Sequence, residues 1–274
     1  MSVMTEAPHF LKLGGSLITA KYQPLTPRPR VIERLAHEIA AARAGHPQRP
    51  LLLSHGSGSY GHALGRRYRT RQGVSGAEGW RGFAETAHIA AQLHRLVMAA
   101  LLRAGVPAFS LPPSALVHCR LGEIVAFTAE PLLAALAAGL VPVVYGDVAF
   151  DAARGGGIVS TEQVLAALTP LLQPQHISLV GVVDGVFDAD PIQHPAARRL
   201  PHLTTAQLPD LAAALGGSHG IDVTGGMFAK VTAMADLLAA HPHLRIHLLS
   251  GEIPGQVQRH LADPDLALGT TLTR

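Results

Sequence analysis

The chain has three lysines, and each lies beside a glycine-rich segment. Lys12 interrupts an apolar run that ends in Gly14-Gly15-Ser16, Lys21 follows shortly afterwards, and Lys230 comes after Gly225-Gly226. The other 19 basic side chains are arginines. A general arginine bias would leave the same count, but the positions favour sites that need a compact ammonium rather than a planar guanidinium. Glycines let backbone amides approach an anion closely, so the pattern predicts phosphate binding.

A second glycine-rich segment follows another short apolar run. Residues 56–61 read G-x-G-x-x-G, but the dinucleotide fingerprint needs an acidic residue about 20 positions further on that lies at the end of a second strand. The nearest acid is Glu78, at a predicted helix start. We therefore interpret the segment as a phosphate-binding loop. Of the two histidines that flank it, we expect His55 to be structural and His62 to face a bound anion.

Three further segments combine an aspartate with nearby glycines, and two of them directly follow a strand-like run. They are Tyr145-Gly146-Asp147, Val183-Asp184-Gly185 and the segment 222–226. Each is by itself typical of a turn, although such an aspartate can also orient a lysine or contact a metal. Ligands of open α/β sheets bind at the carboxyl ends of strands. Together with the lysines, these segments predict one phosphate site assembled from several strand ends.

The composition excludes several classes of protein. The chain has 274 residues, of which 48% are hydrophobic and 15% charged, so it can bury a large core and is too apolar to be disordered. The single cysteine, Cys119, excludes a disulfide framework and a four-cysteine zinc site. The 16 histidines show no metal-ligand spacing, so we expect no metal bound by side chains alone.

Charge and hydropathy also restrict the partners. The formal net charge is +3, but the basic residues are scattered, so we expect no nucleic-acid partner. The longest apolar stretch, 132–145, is interrupted by Gly139 and Pro142 and is too short to span a bilayer. The first ten residues lack the apolar core of a signal peptide. We therefore expect a cytoplasmic protein with no membrane segment.

Strand-like and helix-like segments alternate along the chain. This order, with β-branched runs, predicts an α/β fold with a largely parallel sheet covered on both faces. A composition shift near 170–175 predicts a seam between two lobes, 1–172 and 173–274, of one domain. The predicted strands are 9–13, 50–54, 106–110, 116–119, 123–127, 141–145, 176–183 and 244–249, and the predicted helices are 30–44, 79–104, 131–138, 161–172 and 224–240.

Taken jointly and in this order, the segments resemble those of the amino acid kinase superfamily and, within it, the isopentenyl phosphate kinases. The resemblance covers nearly the whole chain and rests on 12–21, 58–62, 145–147, 183–191 and 222–230. It implies a three-layer αβα sandwich that transfers the γ-phosphoryl group of ATP to isopentenyl phosphate, giving isopentenyl diphosphate for isoprenoid biosynthesis. It also implies Mg²⁺, held mainly by the ATP phosphates, and a homodimer.

The resemblance also implies roles for single residues. Lys12 and Lys21 match the cations that bridge the donor and acceptor phosphates, His62 matches the histidine that holds the acceptor phosphate, and Asp147 matches the aspartate that orients a lysine. These four are the predicted catalytic residues. The predicted ATP-binding residues are Lys12, Gly14, Gly15, Ser16, Gly58, Asp184, Gly226 and Lys230, and the predicted substrate-binding residues are Ser57, His62, Phe83 and Gly157.

Two segments depart from the family pattern. Ser57 stands where the family usually has a third glycine, and 160–163 replaces a commonly more acidic or glycine-containing stretch. One alternative is a kinase for another small phosphate or a phosphonate such as fosfomycin; the apolar helix face near Phe83 favours a five-carbon chain instead. The others are a non-catalytic nucleotide- or metalate-binding relative and a nicotinamide-dependent oxidoreductase. The three placed lysines argue against both of these.

Overall fold

The strands form one large sheet, one smaller sheet and a short hairpin. The computed structural model describes residues 6–20, 22–189, 191, 194–214 and 234–274, and all of their side chains except those of 62–66 and 212–214. The strands are β1 (His9–Leu13), β2 (Leu51–His55), β3 (Ala108–Ser110), β4 (Val117–Arg120), β5 (Glu123–Phe127), β6 (Val141–Tyr145), β7 (Asp147–Asp151), β8 (Gly155–Val159), β9 (His176–Gly181), β10 (Val186–Phe187), β11 (Arg199–Leu200), β12 (His202–Thr204), β13 (Arg245–Ser250) and β14 (Thr270–Thr273).

Helices alternate with these strands. The α-helices are α1 (Gly15–Ile18), α2 (Pro29–Gly45), α3 (Gly58–Arg67), α4 (Gly76–Arg103), α5 (Glu130–Ala137), α6 (Thr161–Leu172), α7 (Leu208–Ala214), α8 (described over 234–240) and α9 (Gln256–Ala262). Short 3₁₀ turns cover Thr70–Gln72, Pro113–Ala115 and Thr205–Gln207.

The large sheet contains eight strands of the described residues, in the order β12-β14-β13-β9-β1-β2-β6-β3. From β13 to β3 all neighbours are parallel, and β14 runs antiparallel to β13. The smaller sheet has the order β5-β4-β7-β8, and β10 pairs with β11. The large sheet takes strands from both sides of the predicted seam, whereas the division into lobes at residue 172 stays a prediction.

Alternate residues of the central strands enter two separate cores. Phe10 and Leu52 pack with apolar side chains of α5, α6, α7 and α8, whereas Leu11 and Leu53 pack with those of α1, α2, α4 and α9. Because successive side chains of a strand point to opposite faces, this division places helices on both sides of the sheet. The fold is therefore the three-layer αβα sandwich that was expected.

Most predicted elements are found, some with shifted ends. The ranges of β6 and α6 agree with the prediction, and the predicted hairpin is present as β4 and β5. Pro170 lies inside α6, as the predicted range 161–172 requires. The antiparallel pair β7 and β8 was not predicted, and it completes the smaller sheet. The start of the predicted helix 224–240 lies outside the described residues.

Two further features concern chemistry and environment. Cys119 is buried in β4, and burial, helped by the nearby carboxylates of Asp151 and Glu123, raises the pKa of its thiol. Among the described residues, no helix combines the length and the apolar character needed to cross a membrane.

Candidate active site

Five adjacent parallel strands end at the same edge of the large sheet, and each ends at a glycine or directly before one. The glycines are Gly14, Gly56, Gly146, Gly181 and Gly251, after β1, β2, β6, β9 and β13. Backbone bonds continue the sheet through them: Gly14 N–H donates to Val180 O (2.8 Å), and Gly56 N–H donates to Leu13 O (3.0 Å). This edge therefore presents backbone rather than bulky side chains, as an anion site requires.

The turns after β1 and β2 contact each other backbone to backbone. A Cβ on Gly15 would lie 2.6 Å from the Gly58 Cα, and a Cβ on Gly56 would lie 2.9 Å from the Gly15 nitrogen. Gly58 also has a φ of +49°, a conformation that side chains disfavour. Glycine is thus required by close packing between the two predicted phosphate-binding turns.

Thr19 fastens the two turns together. Its buried hydroxyl donates to Gly15 O (2.8 Å) and accepts from the Ser59 N–H (3.0 Å) at the start of α3. Because α3 begins at Gly58, the interpretation of 56–61 as a continuous loop was wrong, and most of that segment is the first turn of a helix. The positive end of the α3 dipole lies at this start and still favours an anion.

Lys12 lies in β1 among apolar neighbours, with only 7% of its side chain exposed. Its ammonium forms an ion pair with the carboxylate of Glu162, the second residue of α6. A buried charge needs such a partner.

The start of α6 is fixed by several side chains. Ser160 and Gln163 form a reciprocal capping box, and the Gln163 amide also donates to Gly122 O (2.9 Å). The Thr161 hydroxyl donates to His55 O at the end of β2 (3.1 Å). These bonds set the position of Glu162 between them, and hence that of the Lys12 ammonium.

Asp147 begins β7, directly beyond the end of β6, and it is buried. Its carboxylate accepts the N–H groups of Ser114 (3.1 Å) and Val148 (2.8 Å). Burial raises the pKa of this carboxyl, and the hydrogen bonds oppose that rise. These contacts are to backbone amides, so its role in orienting a lysine stays a prediction.

Ser57, the departure from the family pattern, is accommodated by a neighbouring glycine. The Ser57 side chain lies against Gly61, where a Cβ would come 2.9 Å from the Ser57 Cβ. His62 belongs to α3, and its side chain lies outside the described residues, as do all of Lys21, Gly226 and Lys230. The roles predicted for these four residues stay predictions.

Phe83 is buried in a small apolar cluster between α4 and β7 with Val74 and Val148, and its ring contacts those of Trp80 and Phe150. A Cβ on Gly156 would lie 2.7 Å from the Phe83 ring. Around Gly157, the next residue of β8, a Cβ would meet no atom of the described residues within 4 Å. The space beside this predicted substrate residue is therefore open.

Asp184 follows β9 and joins two further segments at the same edge. Its carboxylate accepts from the Ser250 N–H (3.2 Å) and the Gln256 amide (2.6 Å), and it pairs with Arg199 (2.9 Å). The loop after β9 is thereby held against the loop after β13.

His55 is structural, as expected. Its Nε2 bonds His94 Nδ1 (2.9 Å), and its ring stacks on Tyr145. Burial lowers the pKa of His55 to about 4 and that of His94 to about 3, so both rings are neutral at pH 7.

Comparison with known proteins agrees with this geometry. A model of the amino acid kinase family matches residues 10–248. The chain belongs to the amino acid kinase family. The isopentenyl phosphate kinase of Methanothermobacter thermautotrophicus is 35% identical over 271 residues, covering 96% of this chain and 98% of that protein. That of Haloferax volcanii is 34% identical over 261 residues, covering 91% and 97%.

Solved structures give the same result. X-ray structures of isopentenyl phosphate kinase include one with a TM-score of 0.78 and 31% identity, covering 96% of this chain and 99% of that one. This amino acid kinase therefore shares its fold with that structure and aligns over nearly the whole length of the isopentenyl phosphate kinases named here.

One residue of this amino acid kinase site was missed by the sequence reasoning. Glu162 contacts Lys12, yet in sequence it is only an acid in the first turn of a helix, which is a common position for acids. The available signal was the departure of 160–163 from the family pattern, which marked the segment without identifying the partner of Lys12.

Proposed function

We propose that this amino acid kinase transfers the γ-phosphoryl group of ATP to isopentenyl phosphate and releases isopentenyl diphosphate, a step of isoprenoid biosynthesis. The observation that carries the proposal is the buried ammonium of Lys12, held by Glu162 beside the glycine turns of β1 and β2. The relatives named isopentenyl phosphate kinase align over nearly the whole chain, which supports this acceptor.

The arrangement suits a phosphate acceptor. Phosphoryl transfer depends mainly on alignment and on neutralising charge at the phosphoryl oxygens. The attacking oxygen of isopentenyl phosphate is already anionic, so no strong general base is required. Lys12 and Lys21 would contact the donor and acceptor phosphates, and Lys230 would approach the nucleotide phosphates. Amides at Gly15, Ser16 and Gly58 would add neutral hydrogen-bond donors, and Gly14, whose own N–H donates to Val180 O, would let the nucleotide approach the backbone closely.

Mg²⁺ would enter with ATP. In the part of the chain that the structure describes, no group of three or more histidine, cysteine, aspartate or glutamate side chains is arranged to hold a metal ion. The carboxylates of Glu162 and Asp184 already pair with basic side chains. These residues fit a Mg²⁺ ion that is held mainly by the phosphate oxygens of ATP. The ion would partly neutralise the negative charge of those oxygens.

The acceptor would lie on the α3 side of the site. Ser57 and His62 would bind its phosphate, and Phe83 would line the pocket for the five-carbon tail. The open space beside Gly157 lies on the opposite face of β8 from Phe83, so Gly157 would contact the acceptor from the other side of that strand. Replacing Phe83 by leucine keeps most of the core volume and should raise the rate with geranyl phosphate relative to isopentenyl phosphate. Unchanged relative rates in the folded variant would show that Phe83 serves the core alone.

We further propose that the enzyme acts in the cytoplasm as a homodimer, as the family resemblance implies. Size-exclusion chromatography with light scattering measures the mass in solution, and a monomer at all concentrations would contradict the dimer.

The acceptor is tested by ADP release with Mg²⁺ and ATP over a panel of isopentenyl phosphate, dimethylallyl phosphate and fosfomycin. We expect the highest kcat/KM with isopentenyl phosphate. Equal or faster turnover of fosfomycin would overturn the acceptor, and no ADP release with any of the three would contradict the kinase activity proposed.

A further inference from the structure

Arg28 closes the carboxyl end of α1, the four-residue helix that follows Gly14. In such a short helix the last carbonyls have no partner within the helix. The Arg28 N–H donates to Ile18 O (2.8 Å), and its guanidinium Nη1 donates to Leu17 O (3.0 Å). One residue thus binds both of these carbonyls.

The guanidinium of Arg28 also contacts the part of the site that follows β13. Nη1 and Nη2 bond the two carboxylate oxygens of Glu252, the Nη2 bond being 3.1 Å long. Glu252 lies just after β13, and its N–H donates to the Ser250 hydroxyl (3.0 Å). The Ser250 N–H in turn donates to Asp184 (3.2 Å). A continuous chain of polar contacts therefore joins the phosphate turn of β1 to the predicted nucleotide residue Asp184.

Arg28 also stands at the base of the segment that contains Lys21. The Ala20 N–H donates to Thr26 O (2.9 Å), and Thr19 pairs with Pro27 in antiparallel fashion. The two ends of the segment 20–27 are therefore held together next to Arg28. The hydrogen bond from the Arg28 N–H to Ile18 O fixes these ends against the last residue of α1.

Only arginine provides this set of bonds. A planar guanidinium can bind a carboxylate through two nitrogens and a carbonyl at the same time, whereas an ammonium is a single point charge. Each side chain of the pair is 33% exposed, so attraction between the charges contributes little to stability, and the geometric effect dominates.

We propose that Arg28, through Glu252, is a positioning residue for phosphoryl transfer, which holds α1 and the segment 20–27 in register with the Asp184 side of the site. This inference rests on the proposed function. It assigns Arg28 no contact with substrate. Its effect on the reaction comes from alignment, and small misplacements of reacting groups are costly in rate.

The test compares Arg28→Gln and Glu252→Gln with Arg103→Gln. Arg103 is the matched control, because it pairs with Glu33 of α2 at 3.5 Å and both side chains are more than half exposed. The assay uses whichever acceptor the wild type phosphorylates best, so a wrong acceptor and a wrong role for Arg28 are distinguishable. Melting temperature is measured for every variant.

We expect kcat to fall by about tenfold or more in both test variants, with KM for ATP and acceptor within about threefold and melting temperatures near that of the control. The double variant should lose no more than the worse single one, because both changes break the same contact. Arg28→Lys should recover only part of kcat. If Arg28→Gln does not fold, Glu252→Gln carries the test alone.

A kcat within twofold of the control in every folded test variant would overturn the proposal. Losses that add in the double variant would overturn the coupling through Glu252. Full recovery in Arg28→Lys would show that charge, rather than the geometry of the guanidinium, is what matters.

Discussion

Polar groups are arranged differently at the two ends of the parallel strands of the large sheet, which we call its carboxyl edge and its amino edge. At the carboxyl edge, glycines end five adjacent strands and leave backbone facing outward beside the Lys12 and Glu162 pair. Towards the amino edge, β1, β9 and β13 contribute His9, His176 and His247, which meet His260 of α9. We call these four residues the histidine cluster.

Several ring nitrogens of the histidine cluster bond each other or the Ser178 hydroxyl, whereas the buried His260 Nδ1 has no hydrogen-bond partner among the described residues. The Ser178 hydroxyl contacts His9 Nε2 (2.7 Å) and His260 Nε2 (2.6 Å), and His176 Nδ1 bonds His247 Nε2 (3.0 Å). Burial lowers the pKa of all four rings, that of His260 to about 4 and that of His247 to about 2. The two edges therefore differ in what surrounds their polar groups: glycines at the carboxyl edge leave the backbone uncovered by side chains, whereas at the amino edge imidazole rings pack on and bond one another.

The largest difference in kcat between the two edges is expected when a basic side chain is exchanged at each of them. Lys12→Arg places a larger, planar group where β1 and α6 enclose a compact ammonium, so we expect kcat to fall by about 10²–10³. Arg245→Lys, near the amino edge in an exposed pair with Asp265, should leave kcat unchanged. Steady-state kinetics measure both. Near-normal activity of Lys12→Arg would remove this lysine from the reaction.

Acid should weaken the histidine cluster. The unfolded chain takes up protons below pH 6.5, whereas His260 stays neutral in the fold to about pH 4 and His247 to about pH 2. Stability is therefore complete above pH 6.5 and falls as the pH drops, by up to about 1.4 kcal/mol per pH unit for each neutral ring. His55 and His94 add to this trend.

Melting temperatures between pH 7.5 and 5 measure this loss, and His260→Gln should make the dependence shallower because it removes one such ring. The same melting temperature for the wild type at pH 7 and pH 5 would contradict the buried neutral cluster.

A methyl group at the contact between the glycine turns should have a smaller effect. Gly15→Ala places a Cβ 2.6 Å from the Gly58 Cα, which forces the turns apart. We expect a cost of about 1–3 kcal/mol in unfolding free energy and a fall of about tenfold in kcat/KM. Gly45→Ala, with no atom within 4 Å of the new Cβ, is the control. Equal behaviour of the two variants would show that the turns tolerate separation.

Removing the hydroxyl of the histidine cluster should change stability but not catalysis. Ser178→Ala leaves two buried imidazole nitrogens without their partner, at a cost of about 1–3 kcal/mol. Thr273→Ala removes a hydroxyl contact to His202 (3.3 Å) that is exposed, and should cost less. Denaturant unfolding and kcat are measured together. A fall in kcat for Ser178→Ala beyond the loss of folded protein would mean that the two edges communicate.

Local patterns predicted what depends on neighbours in sequence. The periodicity of 161–172 and the apolar run 141–145 define α6 and β6, and Gly14-Gly15 marked the turn after β1, because each signal lies within a few residues. The strand β8 was missed because Gly155-Gly156-Gly157 is typical of a loop. Glycine is needed in this strand because of a residue far away in the sequence. The ring of Phe83, from α4, occupies the space that a side chain at Gly156 would fill.

The contacts that define both edges join residues far apart in the chain. Lys12 meets Glu162, and the rings of the histidine cluster come from three strands and a helix. No spacing in the sequence encodes such a meeting, because it arises only when parallel strands align their ends. The roles of Lys21, His62, Gly226 and Lys230 remain predictions from sequence.

The buried thiol of Cys119 makes the protein suitable for site-specific spectroscopy. Burial keeps this group protonated, so thiol reagents should not react with it at neutral pH. A pair of cysteines introduced at Tyr22 and Ile253, which are 86% and 46% exposed, would then take up spin labels without a background signal. Their separation would report, in solution and during turnover, whether the segments joined by Arg28 and Glu252 move together or apart.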